Sequence, residues 1–105
     1  IIFQSEPSEG CIDVCWMNAI VIDPDKYGHH KDDLIAHLKE NGIDTRLLFT
    51  GMHKQKAMMD YGCDCSGSFP ICEWLTENGF YLPSGSNLTE EQIEFICSII
   101  GNFKV

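Results

Sequence analysis

The longest apolar run in the chain is Val14 to Ile22, broken only by Asn18 and stopped by Asp23-Pro24. It is rich in β-branched residues, and a run of that length and make-up predicts a buried strand. At Lys31 the period changes. Leu34, Ile35 and Leu38 fall on one face, with Lys31, Asp32, Lys39 and Glu40 on the others, which predicts a helix over 31–41. Asp32 and Asp33 lie in its first turn, where the helix dipole favours acids. Gly42 supplies a left-handed C′ residue, and Ile43 is placed to fold back on the last turn. Asp44 to Phe49 then reads as a second strand, ended by Thr50-Gly51.

Residues 52–67 hold no clear period, although a helical turn over 54–60 fits. Ser68-Phe69-Pro70 opens a further helix, since Pro is tolerated in a first turn, and Gly79 closes it as a C′ glycine. Phe80-Tyr81-Leu82 is a short strand before Pro83-Ser84-Gly85. Thr89 with Gln92 forms a capping box, and Ile93, Ile96, Cys97, Ile100 and Phe103 make the apolar stripe of a last helix. Residues 1–13, with Pro7, Gly10 and scattered acids, read as an irregular lead-in to one domain over 14–105. The order predicts a small α+β two-layer sandwich: a three-stranded sheet with helices on one face. A crossover between the first two strands would make them parallel; without one the sheet is antiparallel or mixed.

At 105 residues the chain is long enough for one core and not for two. Seven basic residues against sixteen acids leave a net charge of −9. That balance argues against a broad surface for nucleic-acid phosphates or anionic lipid, while leaving room for one basic group in a cleft. Arg46 is the single arginine. No apolar run approaches the ~18 residues of a membrane helix. Six cysteines suit either a disulfide scaffold or a reduced cytoplasmic protein. The apolar content and the lack of a signal peptide favour the second, with Cys15, Cys72 and Cys97 as small buried hydrophobes. A chain opening on Ile1 reads as part of something longer, or as a processed product.

Cys11-x3-Cys15, Cys63-x-Cys65 and His29-His30 together could ligate zinc. Against this, Cys15 falls in the predicted buried strand and Cys63-x-Cys65 is tighter than usual zinc spacing, so scattered thiols without a metal are the preferred reading. His29-His30 reads as a solvated loop or helix N-cap, and His37 as a solvent-facing residue. Arg46 to Gln55 is the segment with most chemistry. Arginine suits two-point recognition of phosphate or carboxylate, and His53 and Gln55 suit hydroxyl or carbonyl contacts. The same residues read equally well as an exposed strand position followed by a polar turn. No Ser-His-Asp or Cys-His nucleophile, P-loop or G-x-G-x-x-G motif is evident.

Five motifs occur in order: Gly42-Ile43-Asp44-Thr45-Arg46, Phe49-x-x-Met52-His53-x-Gln55, Phe69-Pro70-x-x-Glu73, Leu82-Pro83-Ser84-Gly85 and Leu88-Thr89-Glu90-Glu91-Gln92-Ile93. Together the series resembles the C-terminal small domain of the DegT/DnrJ/EryC1/StrS sugar aminotransferases, most nearly their perosamine synthetase branch. The resemblance covers about residues 14–103. It implies the small domain of the aspartate-aminotransferase fold. It also implies a full-length, cytoplasmic, homodimeric or larger enzyme that uses pyridoxal phosphate to move an amino group, usually from glutamate, to a nucleotide-linked 4-keto-6-deoxy sugar. The Schiff-base lysine and main phosphate contacts would lie in a large domain outside this sequence, so no cofactor and no catalytic residue is expected here, and the chain alone is expected to be inactive. Arg46, His53 and Gln55 match motif positions on the substrate side of the cleft, with Arg46 toward phosphate or carboxylate and His53 and Gln55 bordering the sugar. Family members often carry Pro where this chain has Gly51 and Lys56. Two other readings compete: a small cysteine-based metal or redox module, and a non-catalytic interaction domain.

Overall fold

A computed structural model describes residues 1–103. The elements run β1 (Ile2–Phe3), β2 (Asn18–Val21), α1 (Pro24–Tyr27), α2 (Lys31–Glu40), β3 (Arg46–Leu47), a 3₁₀ turn (Met52–Lys54), α3 (Lys56–Asp60), α4 (Pro70–Asn78), β4 (Gly79–Leu82) and α5 (Glu90–Asn102). The sheet has four strands in the order β1-β2-β4-β3, with every pairing antiparallel. The three-stranded expectation is therefore corrected. The lead-in supplies the fourth strand, because Ile2 and Phe3 pair with Val21 and Ile20. β2 and β3 are not parallel neighbours either: they are not paired, and β4 lies between them.

α2 ends as its sequence dictates. Gly42 takes φ 76, Ile43 N–H donates to the Leu38 carbonyl at 2.9 Å, and Ile43 is buried. At α5, Thr89 Oγ1 accepts from Gln92 N–H at 3.3 Å while Thr89 N–H donates to Gln92 Oε1 at 2.9 Å, completing the capping box. The core lies between these two helices and one face of the sheet: Ile20, Ile22, Leu34, Leu38, Ile43, Phe80 and Ile96. Ile20 and Phe80 are register partners and both point into it.

The first strand is shorter than the apolar run predicts. Cys15 N–H donates to Asp13 Oδ1 at 2.8 Å and Cys15 sits at φ 48, a left-handed turn incompatible with extended pairing. Pairing therefore starts only at Asn18. The second strand shrinks to Arg46–Leu47, beyond which Leu48 folds over Gly79. Gly79 is not a left-handed cap but an extended residue, φ −110, and opens β4. A Cβ there would meet both the Leu48 side chain and the Leu75 carbonyl oxygen, so glycine serves close approach at this position.

The expected core thiols are also corrected. Cys15 and Cys97 are exposed and Cys72 is half-buried. Cys15 is turned out by the same Asp13 turn, and Cys97 lies one position off the α5 stripe that Ile96, Ile99 and Ile100 present to the core. His37, expected in solvent, is half-buried and stacks on Phe103 at 4.4 Å between ring centroids.

Candidate functional site

Arg46 stands on edge strand β3 opposite Tyr81, on the sheet face away from Ile20 and Phe80. It lines a cavity of about 810 Å³, within the range of small-molecule sites. Trp16, Tyr81, Ser84, Asn87 and Gln92 share that wall, bringing aromatic, hydroxyl and amide groups around one guanidinium. Among the described residues Arg46 has no ion-pair partner. The fork of a guanidinium can meet two oxygens of a carboxylate or phosphate at once. The turn that ends the cavity is held across the chain: Ser84 Oγ donates to the Trp16 carbonyl at 3.0 Å.

His53 and Gln55 share the loop after β3, and neither lines the Arg46 cavity. His53 Nε2 lies 3.1 Å from Glu73 Oε1 on α4, with Lys54 Nζ 3.8 Å from the same oxygen. The ring packs on Phe69, centroids 4.6 Å apart. Gln55 Nε2 donates to the Thr50 carbonyl at 3.0 Å and approaches Met52 Sδ at 3.5 Å, so its amide nitrogen is spent on its own loop and Oε1 is the atom left over. The three sequence candidates thus divide, with Arg46 in one cavity and His53 and Gln55 on a separate loop braced by α4.

Sequence reasoning missed Glu73 as the partner of His53. The signal was present in Phe69-Pro70-x-x-Glu73. In the structure that motif supplies both the ring under His53 and the carboxylate at its edge. Pro70 occupies the first turn of α4, which puts Glu73 on the turn facing the loop.

The zinc candidates do not assemble: among the described residues no group of three or more His, Cys, Asp or Glu is placed to share a metal ion. His30 is the N-cap of α2, its N–H donating to Asp33 Oδ2 at 3.1 Å. Asp64 is exposed, and hydrogen bonds from the Ser66 side chain and backbone hold its carboxyl below the usual aspartate value. No helix among the described residues is long and apolar enough to cross a membrane.

An antiparallel sheet backed by two capped helices, with an arginine-bearing cavity at its edge, makes a small α+β domain. The solved structure of a DegT DnrJ EryC1 StrS aminotransferase from Brucella abortus shares it at a TM-score of 0.66 and 25% identity, over 84% of this chain and 22% of that one. The family model of the DegT/DnrJ/EryC1/StrS aminotransferases matches residues 2–101. The chain belongs to the DegT/DnrJ/EryC1/StrS aminotransferase family. It is 28% identical over 96 residues to a GDP-perosamine synthase of Vibrio cholerae, covering 91% of this chain and 25% of that protein. A GDP-perosamine synthase of Escherichia coli O157:H7 is 31% identical over 88 residues, 84% of this chain and 22% of that protein. EpsN of Bacillus subtilis (strain 168), provisionally named a pyridoxal phosphate-dependent aminotransferase, is 32% identical over 80 residues, 73% of this chain and 19% of that protein. The chain therefore spans about a quarter, or less, of the length of these relatives.

Pyridoxal phosphate, which the family implies, needs a lysine amine at its site. No lysine lines the Arg46 cavity. Lys31 Nζ donates to the Thr76 carbonyl at 2.7 Å, and Lys26 and Lys56 pair with Asp23 and Asp60 on the surface.

Proposed function

We propose that the chain is the substrate-side domain of a nucleotide-sugar aminotransferase, with a larger domain supplying pyridoxal phosphate and its lysine. In that enzyme the amino group passes from an amino acid, glutamate being the usual donor, to a GDP-linked 4-keto-6-deoxy sugar. The reading is supported by the family match over residues 2–101 and by the names of the Vibrio and Escherichia relatives. A cytoplasmic homodimer or larger assembly goes with it. When bound, the cofactor would supply the electron sink that lets an amino group leave one carbon and join another.

The roles assigned to this chain's own residues are binding and orientation. Arg46 holds an anionic group, either a sugar-nucleotide phosphate or the donor carboxylate, through the planar fork of its guanidinium. His53, steadied by Glu73 and Phe69, borders the sugar, and Gln55 offers Oε1 beside it. The observation that carries the reading is the unpaired Arg46 on the wall of a ligand-sized cavity in a chain of this family. The test is product analysis on the longer protein supplied with pyridoxal phosphate, glutamate and GDP-4-keto-6-deoxymannose. Formation of a GDP-linked amino sugar together with 2-oxoglutarate is expected. Turnover of glutamate only with keto acids that carry no nucleotide would overturn the substrate assignment.

A further inference from the structure

Away from the Arg46 cavity, groups of unlike chemistry converge on one glycine. A Cβ on Gly51 would lie 2.6 Å from Cys72 Sγ, 2.7 Å from His53 Cε1 and 2.9 Å from His53 Nδ1. Gly51 has φ −53, which any residue adopts, so glycine stands there for room and not for backbone freedom. The thiol and the imidazole edge occupy the space that a side chain would need. This gives the departure from the family's proline a physical meaning, since it opens the ground between Cys72 and His53.

The far edge of the ring is already engaged. Glu73 Oε1 sits on Nε2, Phe69 covers the ring, and the His53 side chain is only 10% exposed. Among the described residues Nδ1 has no hydrogen-bond partner. A carboxylate on Nε2 favours the tautomer with its proton there, which leaves the Nδ1 lone pair on the thiol side. Sulfur and ring flank the same space over Gly51 with no hydrogen bond between them, and a thiol, a ring base and an orienting carboxylate are the parts that make an activated nucleophile when they close on one another. Cys72 also lines a cavity of about 610 Å³ whose walls include Leu48, Phe49, Phe69, Ile71, Leu75 and Tyr81. The thiol therefore faces an apolar space, with its base behind it.

We propose that Cys72 is a covalent modification site for apolar soft electrophiles, namely α,β-unsaturated carbonyl compounds. In the reaction the sulfur forms a C–S bond to the β-carbon as the C=C π bond opens toward the carbonyl. The thiol proton moves to His53 Nδ1 and from there to the α-carbon. Nothing leaves and no oxidant is needed. The apolar wall receives the tail of the electrophile, and the finished adduct covers the approach to His53. The site does not depend on the aminotransferase reading.

The experiment is timed labelling of the whole chain, kept reduced, with N-benzylmaleimide and separately with N-ethylmaleimide, each cysteine followed by peptide mass spectrometry. Cys72 is expected to gain adduct about ten-fold faster than Cys11 and Cys63, although both of those are exposed. The advantage is expected to be larger for the benzyl reagent. Glu73→Gln, close in shape, and His53→Gln should each slow Cys72 by about ten-fold and leave Cys11 and Cys63 unchanged. A Cys72 rate no greater than that of Cys63, or one untouched by both substitutions, overturns the proposal. Equal rates at all six thiols overturn it as well.

Discussion

The region built on β2, α2, β4 and α5 and the segment from Leu48 to Leu75 are both rich in apolar residues, yet only one buries them. In the first, Ile22, Leu34, Leu38 and Phe80 are fully buried. In the second, the 3₁₀ turn, α3 and α4 contain no buried residue, and Phe49, Met52, Met59, Phe69, Ile71 and Trp74 are exposed. The radius of gyration is 16.0 Å, against about 13 Å for a compact domain of this size. What separates the two regions is partnership and not hydrophobicity. Elements whose apolar period matches their geometry find one another, while the second region holds its apolar side chains around a loop and a cavity. Stability therefore resides in the first region, whose edge also carries the Arg46 cavity, while the second region holds the His53–Glu73 pair.

The sharpest way to break this contrast is to remove its centre. Phe80→Ala leaves a void beneath both helices and should cost about 3–5 kcal/mol, a large part of the stability of a domain this size. Urea denaturation would show the loss as a lower midpoint at unchanged slope. Next comes the α5 cap: Thr89→Ala removes the acceptor for Gln92 N–H and should cost about 1 kcal/mol in the same assay.

A comparable effect is expected at Tyr27, whose hydroxyl donates at 3.0 Å to the Ile100 carbonyl, one of the last four of α5. Tyr27→Phe should cost about 0.5–1.5 kcal/mol. Burial raises the Tyr27 phenol above its ordinary value of 10.0, because the charged form is the one that burial disfavours. The stability it contributes is thus complete below pH 10 and is lost as pH rises through the higher folded-state value. Thermal melts of wild type against Tyr27→Phe should converge in that alkaline range and diverge below it. The smallest effect belongs to the second region. Ile71 is 76% exposed, so Ile71→Ser should change stability by about 0.5 kcal/mol or less. A loss as large as that at Phe80 would erase the contrast.

The same contrast explains what the sequence could and could not reveal. α2 and α5 were legible because their caps and stripes are local: Gly42 with Ile43, and Thr89 with Gln92, act within a turn of each other. The strand at Val14 to Ile22 was overread because one Asp13–Cys15 turn decides where pairing begins, and an apolar run does not announce it. The fourth strand was missed because Ile2–Phe3 is two residues long and exists only through its neighbour. Within the site, Arg46 was legible as the single arginine. The His53–Glu73 pair was not, because its members stand twenty residues apart and meet through tertiary structure. Gly51 was noted as a departure from the family, but its reason, the approach of Cys72 and His53, is purely spatial.

The central claim is that Arg46 recognises an anionic group of the substrate through two-point geometry. The measurement that tests it most directly is kcat/KM of the longer, pyridoxal phosphate-loaded protein with Arg46→Lys, read beside its urea midpoint. Lysine keeps the charge and loses the fork. A charge-assisted contact contributes about 1.5–3 kcal/mol, so kcat/KM should fall about ten- to a hundred-fold while the midpoint stays at the wild-type value. A wild-type kcat/KM for both amino donor and nucleotide sugar, with a lowered midpoint, would contradict the account and make Arg46 a scaffold residue.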